Sequence, residues 1–577
     1  MLLVLAFAFA LFAGCGNKAE NNGGSSAAAA GNDTAQNAGT ETDAAESTPA
    51  AEEESPYNFA TGVELNADGY PVSKYVYELP LSTTDEKFTM WTTCYSPELI
   101  PEEGFGSLPM QAGVREMTGV NIEYNVVSAA TRQENFAVNL NSDSLDDIII
   151  QGGFFYTTGT LRQAVDDGYF ANLIDYKDYM PCYLYENYAA SKTNPDILNY
   201  IYYDAETMPV IYGRYKEVNP NMGFYLRQDW LDKLGLGLAE DVKTYEQLTD
   251  IMAAFKTEQP EAYPMFMFSA IELDSYMFTG YNTYIVGTGL SNKRVVDGKV
   301  QFCGTTDDCG LAMAQLADWY AKEYVNPNYL SAVAGQSYND GTEDNTTGVF
   351  PCLASTIGAE SSNPDAVWAP MPKPLLTEDQ VIHFGQSDLG FHYGSTAISA
   401  KCANIPLVVT WVDWWFSDEG SDFTNWGPEG FIWEYNDKGE RELTDFILTQ
   451  QVGTAVAMSV YLCSFLADAC LFDNNRHYAY PGGEAITKSF EVWKIKNYDG
   501  AYAFPASIKL SAEDGEAAAT IMQDLNTYFA EQIYLFVDGS RPINEWDAFQ
   551  TELDAFGLSD VTAIWQAQYD TYLADNA

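Results

Sequence analysis

Carboxylates are the commonest reactive groups in this chain: 82 Asp and Glu stand against 28 Lys and Arg and only three His, a formal net charge of −54. Two carboxylates about 5–10 Å apart, one with a raised pKa, can hydrolyse a glycosidic bond. With so many acids such pairs arise by chance, so a secreted glycoside hydrolase stays open as an alternative without being singled out. Neither a GxSxG elbow nor an HExxH or P-loop pattern occurs in the required context. His383, His392 and His477 leave little for histidine chemistry. Beyond Cys15 the cysteines are Cys94, Cys182, Cys303, Cys309, Cys352, Cys402, Cys463 and Cys470. None shows paired CxxC spacing with histidines, so neither a zinc cage nor any other metal or cofactor is expected. Cys303 and Cys309, in "FCGTTDDCG", are spaced to bridge across a turn. Cys463 and Cys470 fall in a predicted helix, where seven residues rise about 10.5 Å, too far for a direct disulfide.

The acidic balance argues against nucleic acid or anionic membrane surfaces as partners, because both need basic patches. It also disfavours polyanionic substrates such as uronate polymers. The acids are spread along the chain, which is the pattern of a solvated surface.

Cys15 has a chemistry of its own. It follows "MLLVLAFAFALFAG" (residues 1–14), an apolar run of signal-peptide length and too short for the about 20 residues that span a bilayer. Small residues, Ala13 and Gly14, precede the thiol, which suits cleavage there followed by lipid attachment. The segment resembles the lipobox of bacterial lipoproteins, with Phe12 where leucine is usual and no basic n-region. A plain secretory signal cut near Ala13 is the alternative. Residues 15–56 hold almost no core formers, so they cannot offset their ordering entropy. As a flexible tether of about 40 residues they reach roughly 35 Å.

The elements that would carry a site begin after this tether. Residues 57–577 exceed what one core usually supports, so two lobes are expected. Strand and helix signals alternate, as in an α/β fold. "EKFTMWTT" and "VNIEYNVV" read as strands flanking a helix closed by Gly119. "LDDIIIQGG" is a short strand of the fully apolar kind that parallel sheets bury on both faces. "TLRQAVDDGYFANL" returns as a helix stopped by Gly168. Thr244 and Gln247 make a capping box for a helix ended by Pro260. Asn404 to Gly420 is an apolar helix whose Trp411, Trp414 and Trp415 belong to a core. Ser511 with Asp514, and then Trp546, Phe549 and Leu553, mark C-terminal helices.

Several segments, taken in order, resemble the large branch of extracellular solute-binding lipoproteins that serve carbohydrate ABC importers. They are "LRQAVDDGYFANLIDYKDYMP", "YLRQDWLDKLGL" with the Thr244 helix, residues 397–435, and the tail 528–558. The resemblance implies a two-lobed periplasmic-binding-protein-like fold of type II. Each lobe would be a mostly parallel sheet flanked by helices, with a hinge between them. Lobe 1 would comprise 57–205 plus 395–450, and lobe 2 would comprise 206–394 plus 451–577. The implied ligand is an oligosaccharide, captured without chemistry and handed to ABC transporter permease subunits by a monomer. That monomer would sit on the extracellular face of a Gram-positive-type cell membrane, held by its lipid alone. Relatives often hold calcium in an acidic loop after the equivalent of the Thr244 helix. Here "KTEQPEAYPMFMF" lacks alternating Asp or Asn, so no calcium is expected.

A sugar site needs aromatic faces for ring C–H surfaces and planar polar groups for hydroxyls. Trp91 and Thr92 end a predicted strand, where ligands of open α/β sheets gather. Tyr156 follows the next such strand, with Gly152 and Gly153 able to admit a ligand close to the backbone. Arg227 and Asp229 could clamp hydroxyls, or instead form an ion pair at a helix start, with Trp230 in the core. Glu429 sits at a Gly-Pro loop tip, beside a stacking wall of Trp426, Trp433 and Tyr435.

Overall fold

The computed structural model describes residues 55–220, 222–267, 275–283, 290, 292–329, 345–354, 365–385, 389–462, 469–480 and 483–575. Strands are numbered along the chain. The larger sheet is built on β1 (Lys87–Cys94), with β2 (Asn121–Ser128) and β3 (Ile148–Ile150) parallel on either side. It continues through β10 (Phe391–Ile398), β4 (Ile211–Tyr215) and β13 (Leu471–Phe472), in the order β13-β4-β10-β3-β1-β2. Only β10 runs against the others.

Alternation along each strand covers both faces. Phe88, Met90, Ile148, Ile150 and Ile398 enter one core, whereas Trp91, Ile149 and Ala397 enter another. The first of these cores is closed by the helix Ile405–Trp414, whose tryptophans are buried as expected. The single apolar helix anticipated through Gly420 is two helices. Ser417 caps a new one at Asp418–Trp426, and Gly420 lies so close to the Trp414 carbonyl that a Cβ there would meet the oxygen at 1.9 Å.

The smaller sheet centres on β5 (Met222–Arg227), between β8 (Val349–Leu353) and β9 (Trp368–Met371). Both pairings are antiparallel, which corrects the expected mostly parallel arrangement for this lobe. That expectation came with the resemblance, and no local signal in "MGFYLR" reports strand direction, because pairing is set by segments remote in sequence. Phe224 and Leu226 join a third core built on the helices Tyr245–Glu258, Asp307–Ala321 and Ala512–Val537. Tyr225 points the other way, against Trp493 with ring centroids 5.2 Å apart. Among the described residues the remaining strands form two hairpins: β6 (Lys293–Val296) with β7 (Lys299–Phe302), and β11 (Trp433–Tyr435) with β12 (Arg441–Leu443).

Helix ends obey their local chemistry. Gly119 closes Pro109–Thr118 at φ 69°, and the Thr244–Gln247 capping box opens Tyr245–Glu258. A second box, Thr160–Gln163, opens Leu161–Asp166, and Ser511 caps Ala512–Val537. Cys303 and Cys309 are separate buried thiols, not a bridge. Cys470 directly precedes β13 and is not in a helix, whereas Cys463 and Cys15 lie outside the described residues.

Residues 55–577 cluster as one compact unit around the two sheets. Among the described residues the chain passes between the sheets three times: from β4 to β5, from β9 to β10, and from β13 to the helix Gly483–Val492, which packs on β9. Strands β4 and β13 therefore belong to the larger sheet, although the boundaries drawn at 205/206 and 450/451 put both in the second lobe. All three passages leave or join the larger sheet at one edge, where β1, β2, β3, β4 and β13 end and β10 begins. Across the start of that edge Lys216 pairs with Asp473 at 3.5 Å, bracing the first passage against the third.

Candidate functional site

Ligands of α/β sheets gather outside the carboxyl ends of strands, and here those ends coincide with the passages between sheets. Strand β1 pairs as far as Cys94 with Ser128, so the first side chain beyond the sheet is Tyr95. Tyr95 is 51% exposed. Beyond β2 the chain turns at Ser128–Thr131 into the helix Arg132–Asn141, and the Arg132 guanidinium donates from Nη1 to Tyr95 Oη at 2.8 Å. Its carbon lies 5.6 Å from the Tyr95 ring centroid and 5.7 Å from that of Phe155. Beyond β3, Gln151 takes a left-handed conformation (φ 58°) and the chain enters the short helix Gly152–Phe155. That helix presents Phe154, 59% exposed. Two open aromatic side chains and a planar cation thus project from three adjacent strand ends. This combination can cover sugar C–H faces and donate to hydroxyls.

None of Tyr95, Arg132 and Phe154 was singled out in the sequence. The nearest signal in the sequence is the predicted strand "EKFTMWTT", which ends at Thr93, two residues before Tyr95. Trp91, chosen instead, is 2% exposed and packs between Phe136 and Phe155, with Nε1 donating to Asn135 Oδ1 at 2.7 Å. Thr92 is buried as well. Tyr156 is buried against Tyr169 and Phe170, and that burial raises its phenol pKa. The space beside Gly152 and Gly153 is taken by protein: a Cβ would meet Ala397 Cβ at 2.7 Å and Ser395 Oγ at 2.8 Å. These glycines let the helix lie on β10, so close packing accounts for them without a ligand.

Arg227 and Asp229 lie at the other end of the smaller sheet. Strand β5 begins at the first passage and runs away from it, and Arg227 is its last residue. The guanidinium is buried, donates to both Asp229 carboxylate oxygens at 2.8 and 2.7 Å, and lies 4.9 Å from the Trp230 ring. This is the ion pair at a helix start, Gln228–Leu234. Burial penalises the Asp229 carboxylate, but the Arg227 fork and charge outweigh it and hold the pKa below the usual range. The pair borders a cavity of about 340 Å³ with Lys233, Glu258, Asn345 and Asp365.

The aromatic wall around Glu429 is assembled, with a difference. Trp426 and Trp433 meet edge to face at 5.9 Å, and Trp433 meets Tyr435 at 5.1 Å. Both tryptophans are buried, and Arg441 stands over them at 4.9 and 4.3 Å while clamping Asp422. Only Tyr435 offers an open face, and Glu429 is exposed at its loop tip. Tyr478, on the third passage, is half-exposed beside Trp426 at 6.0 Å.

No family model matches the chain. A curated relative, the fructooligosaccharide ABC transporter substrate-binding protein FusA of Streptococcus pneumoniae serotype 4, is 24% identical over 540 residues, covering 85% of this chain and 91% of its own. The solved structure of FusA in complex with kestose superposes with a TM-score of 0.65 at 19% identity, over 85% of this chain and 100% of that one. The fold is that of a substrate-binding protein of ABC importers. The same substrate-binding fold is found in an HMO-binding, ABC-transporter-associated protein of Bifidobacterium longum infantis (TM-score 0.64, 16% identity, 84% and 99% covered). Alginate-binding protein AlgQ2, solved without calcium ion, has it too (TM-score 0.63, 19% identity, 84% and 99% covered).

Proposed function

We propose that this protein is an extracellular receptor that captures a neutral oligosaccharide between its lobes and delivers it to an ABC permease. The observation that carries the reading is the coincidence of Tyr95, Arg132 and Phe154 with the edge at which the chain passes between the sheets. Hinge motion about those passages would close the second lobe over a sugar resting on the first. The acidic balance of the chain favours a neutral ligand over a polyanion. The names of the relatives, which bind fructooligosaccharides or HMO, support the saccharide class. Cys15 would carry the lipid that holds a monomer to the outer face of the membrane.

The test is a thermal shift of the purified protein against neutral, acidic and amino oligosaccharides, with each mixture afterwards checked for hydrolysis products. A ligand at 100 times its Kd adds roughly 2.7 kcal/mol to the native state. A selective shift with the sugar left intact is expected. Cleaved sugar would overturn the receptor in favour of a hydrolase, and silence across the panel would move the ligand outside carbohydrates.

A further inference from the structure

The resemblance implies that relatives often hold calcium after the equivalent of the helix Tyr245–Glu258, and one solved neighbour is an EF-hand mutant of FusA by name. The residues of this chain do not fit such an ion. Calcium takes six to eight oxygens at about 2.3–2.6 Å, mostly from converging carboxylates and carbonyls. Of the two carboxylates in the turn, Glu258 is held away by Lys233 at 2.6 Å and Glu261 is exposed. Among the described residues no group of three or more His, Cys, Asp and Glu converges to hold an ion.

A cation is nevertheless present, and it belongs to the protein. Lys256, in the last turn of the helix, folds its side chain back over the following turn and is only 18% exposed. Its Nζ donates to the Ala262 carbonyl at 3.1 Å and meets Glu323 Oε2 at 3.1 Å. It also stands 5.0 Å from the Tyr263 ring centroid. These three partners come from the turn itself and from the end of the helix Asp307–Ala321. Glu323 sits there in a left-handed conformation (φ 58°). Just beyond both contacts, Met265 bridges to Val325 and to Val349 of β8, so the turn leads directly into the edge of the smaller sheet.

We propose that the Lys256 ammonium is a built-in cation that fastens this turn to the sheet edge, so that the lobe is stable without a divalent metal. A carbonyl, a carboxylate and an aromatic face are the kinds of groups that bind an ammonium, and one positive charge replaces the two an ion would bring. The inference stands on the Lys256 contacts and is independent of the ligand.

Thermal unfolding of the purified protein in EDTA and in millimolar calcium chloride tests it, alongside Lys256→Met and Lys256→Arg. The expected result is one Tm for the unaltered protein in both media. Lys256→Met, which keeps the aliphatic stem without the charge, should lower Tm by about 2–4 °C, and calcium should not restore it. Lys256→Arg should lose less than Lys256→Met. A rise of several degrees with calcium in the unaltered protein would overturn the proposal. So would a Lys256→Met variant as stable as the parent, or an arginine variant that loses as much as methionine. Should Lys256→Met fail to fold, the EDTA and calcium comparison on the unaltered protein decides.

Discussion

Arg132 Nη1 donates to Tyr95 Oη at 2.8 Å, joining the first turn after β2 to the first residue beyond β1. Neither residue is needed by the core, since Tyr95 is half-exposed and its partner only partly buried. Their bond fixes the tilt of a ring that contributes little to folding. Tyr95→Ala and Phe154→Ala should therefore each weaken oligosaccharide binding about 10-fold or more, the range of a buried aromatic contact in a complex. Their stability should stay within about 0.5 kcal/mol, as for exposed positions. Calorimetric titration with thermal unfolding measures both. Lost stability with unchanged affinity would remove these residues from the site.

The opposite pattern is expected at the far end of β5. Arg227→Ala leaves Asp229 and Asn345 without their donor, since Arg227 Nη1 also bonds Asn345 Oδ1 at 2.6 Å. Loss of a charged hydrogen-bonding group of this kind costs about 1.5–3 kcal/mol. Ligand affinity should be unchanged, and the melting temperature and titration together decide. The depressed Asp229 pKa adds a pH dependence of known sign: this contribution is present above the unfolded carboxylate range near 3.9 and is lost as pH falls through the lower folded value.

Asp413 should give the reverse sign. Fully buried, it accepts from Tyr77 Oη at 2.6 Å and from the backbone N–H groups of Cys182 and Tyr183 at 3.0 and 2.7 Å. Those bonds cap the helix Pro181–Ser191. Burial raises its pKa to about 6, against the pull of the bonds that favour the ion. Between about 4 and 6 the native state binds more protons than the unfolded one, so this contribution is full below the unfolded pKa and is lost as pH rises to the folded value. Asp413→Asn, which keeps an acceptor for the helix N–H groups, should abolish that slope. Melting temperature against pH for parent and variant is the check, and parallel curves would refute the assignment.

Gly223 and Trp493 make the third passage depend on a missing side chain. A Cβ on Gly223 would meet the Trp493 ring at 2.4 Å, and the indole Nε1 bonds the Phe224 carbonyl at 3.2 Å. Gly223→Ala should cost about 1–3 kcal/mol through forced displacement of the ring. Denaturant unfolding measures it, and a neutral effect would mean that the helix Gly483–Val492 slides freely on the smaller sheet.

Local chemistry decided much of this molecule before any tertiary contact. The Thr244–Gln247 box, the Gly119 stop, the Ser511 cap and the apolar strand at Ile148–Ile150 depend on neighbours within a few residues, and each stands where the sequence placed it. So do the buried tryptophans of the helix Ile405–Trp414 and the pairing of Arg227 with Asp229, two residues apart. Tertiary structure decided the rest, because it turns on distance between segments remote in sequence. Alternation says that Trp91 and Phe88 face opposite ways, but not that Phe136 and Phe155 close over Trp91. Strand β5 gains its antiparallel neighbours only from segments more than a hundred residues later in the chain. The site edge exists only because β1, β2 and β3 end together where the passages begin, and no single stretch of sequence carries that alignment.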